Sequence, residues 1–165
     1  MQVAHQAGKI LKRFGYSEHE IELAKIAGYM HDIGNVINRS HHAEYGALLA
    51  NELLKETDMT LEDRVTIVSA IGNHDESTGS PEDVISAALI IADKTDVRRS
   101  RVRQKEQPAF DIHDRVNYAV TDSKLKVDEK KSEIALNFQI DEKICSMYDY
   151  FEISKVLIIA PLRVG

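Results

Sequence analysis

The chain is short of three things. Its 165 residues include one cysteine, Cys145, which cannot close an internal disulfide. No apolar run approaches the roughly 20 residues that a membrane-spanning helix needs. The N-terminus lacks the basic start, apolar stretch and small-residue cleavage site of a secretory signal. Together these absences predict a soluble protein of a reducing cytoplasm with no membrane partner. What is present fits that expectation: 43% hydrophobic and 29% charged residues, near the soluble globular average, in a chain long enough for one domain with a substantial core. A net charge of −6 argues against an extended nucleic-acid surface. The basic run from Arg98 to Lys105 is a local exception, suited to a small phosphorylated ligand or, more simply, to a solvated helix face.

Helix starts are marked independently of hydrophobicity. Ser17 with Glu20 fits a capping box, Ser40 precedes the His41-His42 segment, and Thr60 precedes a further helix. Ser80-Pro81-Glu82-Asp83 offers a cap, a first-turn proline and acids for the helix dipole. Connections are expected at Asn35 to Arg39, Thr57 to Met59 and Asp75 to Gly79, where turn-forming and polar residues gather. There is no internal repeat and no low-complexity tract.

Helical periodicity then places the chemistry. Residues i, i+3, i+4 and i+7 share a face, so His31 falls in line with Ala27 and Leu23, and His42 leads Gly46, Leu49 and Leu53. His74 continues the stripe of Ile67 and Ile71, and Asp93 that of Ile85 and Leu89. Asp32 adjoins His31 in His31-Asp32-Ile33-Gly34. Three imidazoles and two carboxylates are thus aimed at one interior. Burying ionised carboxylates without partners costs several kcal/mol, on the order of what a bound cation offsets. The set calls for a metal. Mixed nitrogen and oxygen donors suit manganese, iron, cobalt, nickel or zinc better than calcium, with one or two ions held.

As an ordered set, His31-Asp32-Ile33-Gly34, His42-Ala43-Glu44-Tyr45-Gly46-Ala47, Asn73-His74-Asp75-Glu76 and Ala92-Asp93-Lys94 resemble the HD-domain superfamily of metal-dependent phosphohydrolases, in its HDIG-type branch. The resemblance covers roughly residues 1–107 and implies a helical bundle. It implies that His31, Asp32 and Asp93 hold a first divalent metal, and that His42 and His74 hold a second or contact phosphate, with Asp32 as a bridge. Many relatives carry a further ligand histidine on the first helix. The candidate here is His5, which at about 100° per residue falls opposite the stripe of Val3, Ala4, Ala7, Ile10, Leu11 and Phe14 and should face solvent. The expectation is a truncated start or a metal held with one ligand fewer.

The implied reaction is hydrolysis of a phosphate ester by a metal-activated water. Asp32 is a catalytic candidate as the bridging ligand, and His74 or Asp75, if not metal-bound, would protonate the leaving group. Lys94, Arg98 and Arg101 follow Asp93 on its helix and are substrate-clamp candidates, since guanidinium forks match phosphate oxygens. His41, about 100° round the helix from His42, is a rim or substrate contact rather than a ligand. The preferred substrate is a nucleotide or related small phosphorylated metabolite. The alternative from another class is a catalytically inactive metal-binding regulatory or interaction module, which the missing first-helix histidine would suit. His113-Asp114 repeats the dipeptide without an apolar helix before it and reads as coincidence; His19, in an exposed first turn, is expected to do nothing.

Residues 108–165 read as an appendage packed on the 1–107 domain. Lys124 to Val127 and Ile134 to Ile140 alternate apolar and polar residues around Asp128 to Ser132, which predicts a β-hairpin. A helix is expected from about Asp141 to Pro161, with Met147, Phe151, Ser154, Leu157 and Ile158 at helical spacing. Tyr148, Tyr150 and Phe151 are candidates for a homodimer contact. The expected fold is therefore mainly α: an HD-type helical bundle with a small β-hairpin and a C-terminal helix appended.

Overall fold

The computed structural model describes residues 2–75, 79–97, 112–128, 130–131 and 133–149. The chain divides into two compact units, whose described parts are residues 2–93 and 94–149. The first unit holds α1 (Gln2–Arg13), α2 (Glu18–Met30), a 3-10 turn (Ile33–Val36), α3 (His42–Leu54), α4 (Leu61–Gly72) and most of α5 (Val84–Thr95). The second holds α6 (Ile112–Ala119) and a hairpin of β1 (Val120–Asp128) and β2 (Glu133–Ile140). Among the described residues no helix is long and apolar enough to cross a membrane.

The helix starts show which capping signals were sufficient. At α2, Ser17 and Glu20 form the full capping box, and at α4 the Thr60 hydroxyl accepts from the Asp63 N–H, each satisfying a donor the helix leaves orphaned. Two starts differ from expectation. α3 is preceded by His41 rather than Ser40, with φ 60 and no side-chain cap. The Ser40 N–H is instead drawn to Asn38 Oδ1 at 3.0 Å, a local turn bond that competes with capping. α5 begins at Val84, three residues after Pro81. Its box is built by Asp83, whose Oδ1 accepts from Ser86 N at 2.7 Å while Ser86 Oγ accepts from Asp83 N at 2.9 Å.

The core of the first unit follows the helical stripes. Ala7, Ile10 and Leu11 of α1, Ala24 and Ala27 of α2, Ile67, Ala70 and Ile71 of α4, and Ala88 and Leu89 of α5 are fully sealed. On α3 the buried line is Ala43, Gly46, Ala50 and Leu54, while Leu53 is exposed. The expected line through Leu49 and Leu53 is therefore rotated by one position: the small residues Ala43, Gly46 and Ala50 let this helix approach closely, and the larger side chains fall outside. Gly34 shows the same close approach. A Cβ there would run into the His42 carbonyl oxygen and the Gly46 nitrogen, so only glycine lets the 3-10 turn lie on the start of α3.

In the second unit the hairpin is antiparallel, with Leu125 opposite Leu136 and Val127 opposite Ile134. The strands reach further than the sequence suggested at the β1 start, where an irregularity between Val120 and Asp122 absorbs Thr121 in the manner of a bulge. One face carries Leu136, Phe138 and Ile140, which pack with Ile144 against buried Val97, Val116, Ala119, Val120 and Cys145. Helix α6 was not anticipated from the sequence; its eight residues are too few for a periodic signal. After β2 the chain turns, and helical structure starts at Met147 rather than near Asp141. Ser146 and Asp149 cap it reciprocally, at 2.8 Å from Ser146 N to Asp149 Oδ2 and 3.2 Å from Asp149 N to Ser146 Oγ. Tyr148 is exposed; Tyr150, Phe151 and the remainder of the expected helix lie outside the described residues.

Candidate metal centre

Each ligand candidate sits at the end or beginning of an element, where side chains converge. His31 caps the C-terminus of α2, Asp32 opens the 3-10 turn, and His42 is the first residue of α3. His74 lies just past α4, and Asp93 is in the last turns of α5. The structure brings all five together. His31 Nε2 is 3.4 Å from Asp32 Oδ2 and 3.5 Å from Asp93 Oδ1. His42 Nε2 is 3.7 Å from Asp32 Oδ1 and 3.2 Å from His74 Nε2. The His74 ring meets those of His31 and His42 edge-on, at centroid separations of 5.2 and 5.0 Å. One ligand atom from each of Asp32, His42 and His74 lies within 4.8 Å of the other two.

Backbone carbonyls set the tautomers. Nδ1 of His31 faces Gly28 O at 2.9 Å, Nδ1 of His42 faces Arg39 O at 3.1 Å, and Nδ1 of His74 faces Ile71 O at 2.6 Å. A carbonyl only accepts, so each Nδ1 carries the hydrogen and each neutral ring turns its Nε2 lone pair inward. Such backbone bonds are the usual way a ligand histidine is oriented. Two consequences follow. The Nε2 atoms of His42 and His74 present lone pairs to each other at 3.2 Å, a repulsive arrangement unless a cation lies beside them. The buried Nε2 of His31 makes no well-formed hydrogen bond and faces the Asp32 and Asp93 carboxylate oxygens at 3.4 and 3.5 Å. The donor set fits a divalent metal.

Protons are unequal substitutes for that cation. Burial pushes the His74 imidazole below its ordinary value, against a smaller upward pull from its bond to Ile71 and from Asp93. Burial acts the same way on His31, but the neighbouring Asp93 and Asp32 carboxylates outweigh it and hold that imidazole above the ordinary value. The site is graded in exposure: His31 and His74 are buried, Asp93 is 11% exposed at its side chain, and Asp32 is 48% exposed. The cluster therefore has a closed back and one open side, at Asp32.

The other expected site residues separate. Asp75 Oδ2 is 3.5 Å from His42 Nδ1 and 27% exposed, at the rim. His41 projects to solvent and pairs with Glu44 of its own helix, 3.3 Å away. Lys94 follows Asp93 on α5 and is half-buried; Arg98 and Arg101 lie outside the described residues. His5 on α1 is exposed, as its phase required. His19 is exposed but not idle: its Nε2 is 2.7 Å from Asp63 Oδ1, tying the first turn of α2 to that of α4. Asn35 went unread in the sequence. Its Nδ2 donates to Asp32 Oδ1 at 2.9 Å, and the signal that could have found it is the i+3 spacing within one tight turn.

No solved structure matches the chain. A family model for the HD domain matches residues 1–100, a span that contains all five converging side chains. With that match covering more than half of the sequence, the chain belongs to the HD domain family, whose members are generally metal-dependent hydrolases.

Proposed function

We propose that the protein is an HDIG-type metal-dependent phosphohydrolase acting on a phosphate ester of a nucleotide or a related small phosphorylated metabolite. The observation that carries this reading is the pair of inward lone pairs on His42 and His74, beside a buried His31 whose Nε2 faces the Asp32 and Asp93 carboxylates. His31, Asp32 and Asp93 would hold one divalent transition metal, and His42 and His74 a second ion or the substrate phosphate. Such a metal supplies a water whose pKa falls from about 15.7 toward 7.

The chain's own residues supply the rest. The open side at Asp32 leaves room for substrate and water, whereas a purely structural metal is enclosed by protein ligands on all sides. Asp32, half-exposed, would accept a hydrogen bond from an incoming water and orient it. Asp75 at the rim, beside His42, is placed to pass a proton to the leaving group; His74 serves only if it is not a ligand, because its Nδ1–H is committed to Ile71. Lys94, Arg98, Arg101 and His41 are the proposed substrate contacts. The single cysteine supports the cytoplasm as the compartment.

A second reading is favoured by one observation. The only histidine of α1, His5, is exposed, so α1 adds no imidazole to the cluster, as a metal-binding regulatory module without catalysis would allow. Metal content and phosphate release decide between them. Protein purified without chelator, assayed on a nucleotide panel with added manganese, iron, cobalt, nickel or zinc, is expected to carry one or two metal equivalents and release phosphate. Metal without turnover supports the regulatory module, and neither metal nor turnover sinks both.

A further inference from the structure

Asp32 is the least constrained member of the cluster by burial, yet it has the most to do. Its Oδ1 faces His42, its Oδ2 faces His31, and its side chain is 48% exposed. A half-exposed carboxylate rotates about χ2 with little hindrance. Left alone, it would spend part of its time with neither oxygen aimed at the imidazoles, and each ligation event would bear the entropy of fixing it.

Asn35 is bonded to it from outside the imidazole set. The Asn35 amide donates from Nδ2 to Asp32 Oδ1 at 2.9 Å, and both residues belong to the same 3-10 turn and its start. The turn is itself held: Asn35 N donates to Asp32 O at 3.1 Å, and Gly34 packs against the start of α3. Asn35 is thus anchored by backbone on one side and reaches the carboxylate on the other. Its amide holds Oδ1 on the side from which His42 Nε2 approaches to 3.7 Å.

We infer that Asn35 is the positioning residue of this centre, fixing the rotation of the Asp32 carboxylate so that its two oxygens serve His31 on one side and His42 with His74 on the other. The inference rests on the metal-centre reading above and adds to it a residue that touches neither metal nor substrate. Partners of this kind typically change metal affinity by about 10–100-fold. Asn35 is solvent-exposed, so its bond adds little to folding, and the two effects come apart.

The test uses Mn2+ alone, titrated into the full chain and followed by calorimetry and by the electron-spin-resonance signal of the free ion. Asn35→Ala is expected to weaken Mn2+ binding by about tenfold or more, with the melting temperature of the metal-free protein unchanged. Asn35→Asp, which keeps the shape and replaces the donor with an acceptor, should do the same and covers the case in which alanine perturbs the turn. Asn38→Ala removes a neighbouring amide whose Oδ1 serves Ser40 N, and should leave affinity intact. In an Asp32→Asn background the Asn35 substitution should have no further effect, because the carboxylate it orients is gone. Wild-type affinity in both Asn35 variants would overturn the inference while leaving the metal centre standing. No Mn2+ binding by the wild-type chain would overturn both.

Discussion

The two parts of this molecule treat their interiors differently. In residues 2–93 polar side chains are carried inward by four helices and a 3-10 turn, and at least one buried nitrogen is left without a partner. Residues 112–149 bury Val116, Ala119, Val120 and Cys145 and keep the charges of their hairpin on the outer face. Among its described residues the hairpin's apolar face is covered by this cluster. A helical cluster whose imidazoles point lone pairs at each other has a deficit that only a cation removes. That contrast puts the candidate metal ligands in the first unit.

Removing a ligand breaks the comparison most severely. Asp93→Ala and His31→Ala are each expected to empty the centre, by metal analysis of the purified variants. Phosphate release should fall by more than about a hundredfold, beyond the roughly 10–100-fold carried by outer partners. Lys130→Ala at the hairpin turn should change neither quantity. Equal losses from all three would erase the distinction between the units.

Gly34 and Gly15 offer a finer cut within the first unit. At Gly34 an added methyl meets backbone of α3, so Gly34→Ala should cost about 1–3 kcal/mol in urea unfolding and displace His42 enough to weaken metal binding. Gly15 has φ 78 and open space around it. Gly15→Ala should cost about 1–2 kcal/mol through its left-handed backbone alone and leave metal binding as it was.

The buried histidines predict opposite pH responses in the metal-free protein. His31, held above the ordinary value near about 6.5, adds stability below that pH and loses it as pH rises through its raised folded value. His74, pushed below it, stays neutral in the fold while the unfolded chain takes up a proton, so acid below the ordinary value destabilises. Histidine NMR titration should find the two on either side of the ordinary value, and added zinc should abolish both titrations. Two normal titrations would mean that the cluster is not closed.

The smallest effect belongs to the hairpin unit. Cys145 is 5% exposed and burial raises its thiol pKa. It should resist a thiol reagent such as DTNB in the native protein and react promptly in urea. Rapid native labelling would show that this core opens where the structure has it shut.

Much of the site was legible because helical phase is a strong rule for long helices. His31 continues Ala27, His74 continues Ile71 and Asp93 continues Leu89, and each of those neighbours is buried. His5 was placed outside by the same rule. The rule failed on α3, where both faces carry apolar side chains and the buried line runs through Ala43, Gly46, Ala50 and Leu54, and it had no purchase on the eight residues of α6. Caps were read well where one side chain faced no competitor, as at Ser17 and Thr60. They were misread at Ser80, where Asp83 made the better bond, and at Ser40, where α3 starts after His41 with no side-chain cap.

What the sequence by itself determined is the identity of the candidate donors and, for His31 and Asp93, the helix face, because these depend on residue type and a 3.6-residue period. What only the tertiary structure decided is everything that needs two elements at once. The 3.2 Å meeting of His42 and His74 and the approach of His31 to Asp93 are of this kind, whereas the carbonyls of Gly28, Arg39 and Ile71 and the amide of Asn35 each act on a side chain three residues away. They arise where helices end and chains turn, and there a shift of one residue in a boundary moves a side chain by a large angle that no periodic pattern encodes.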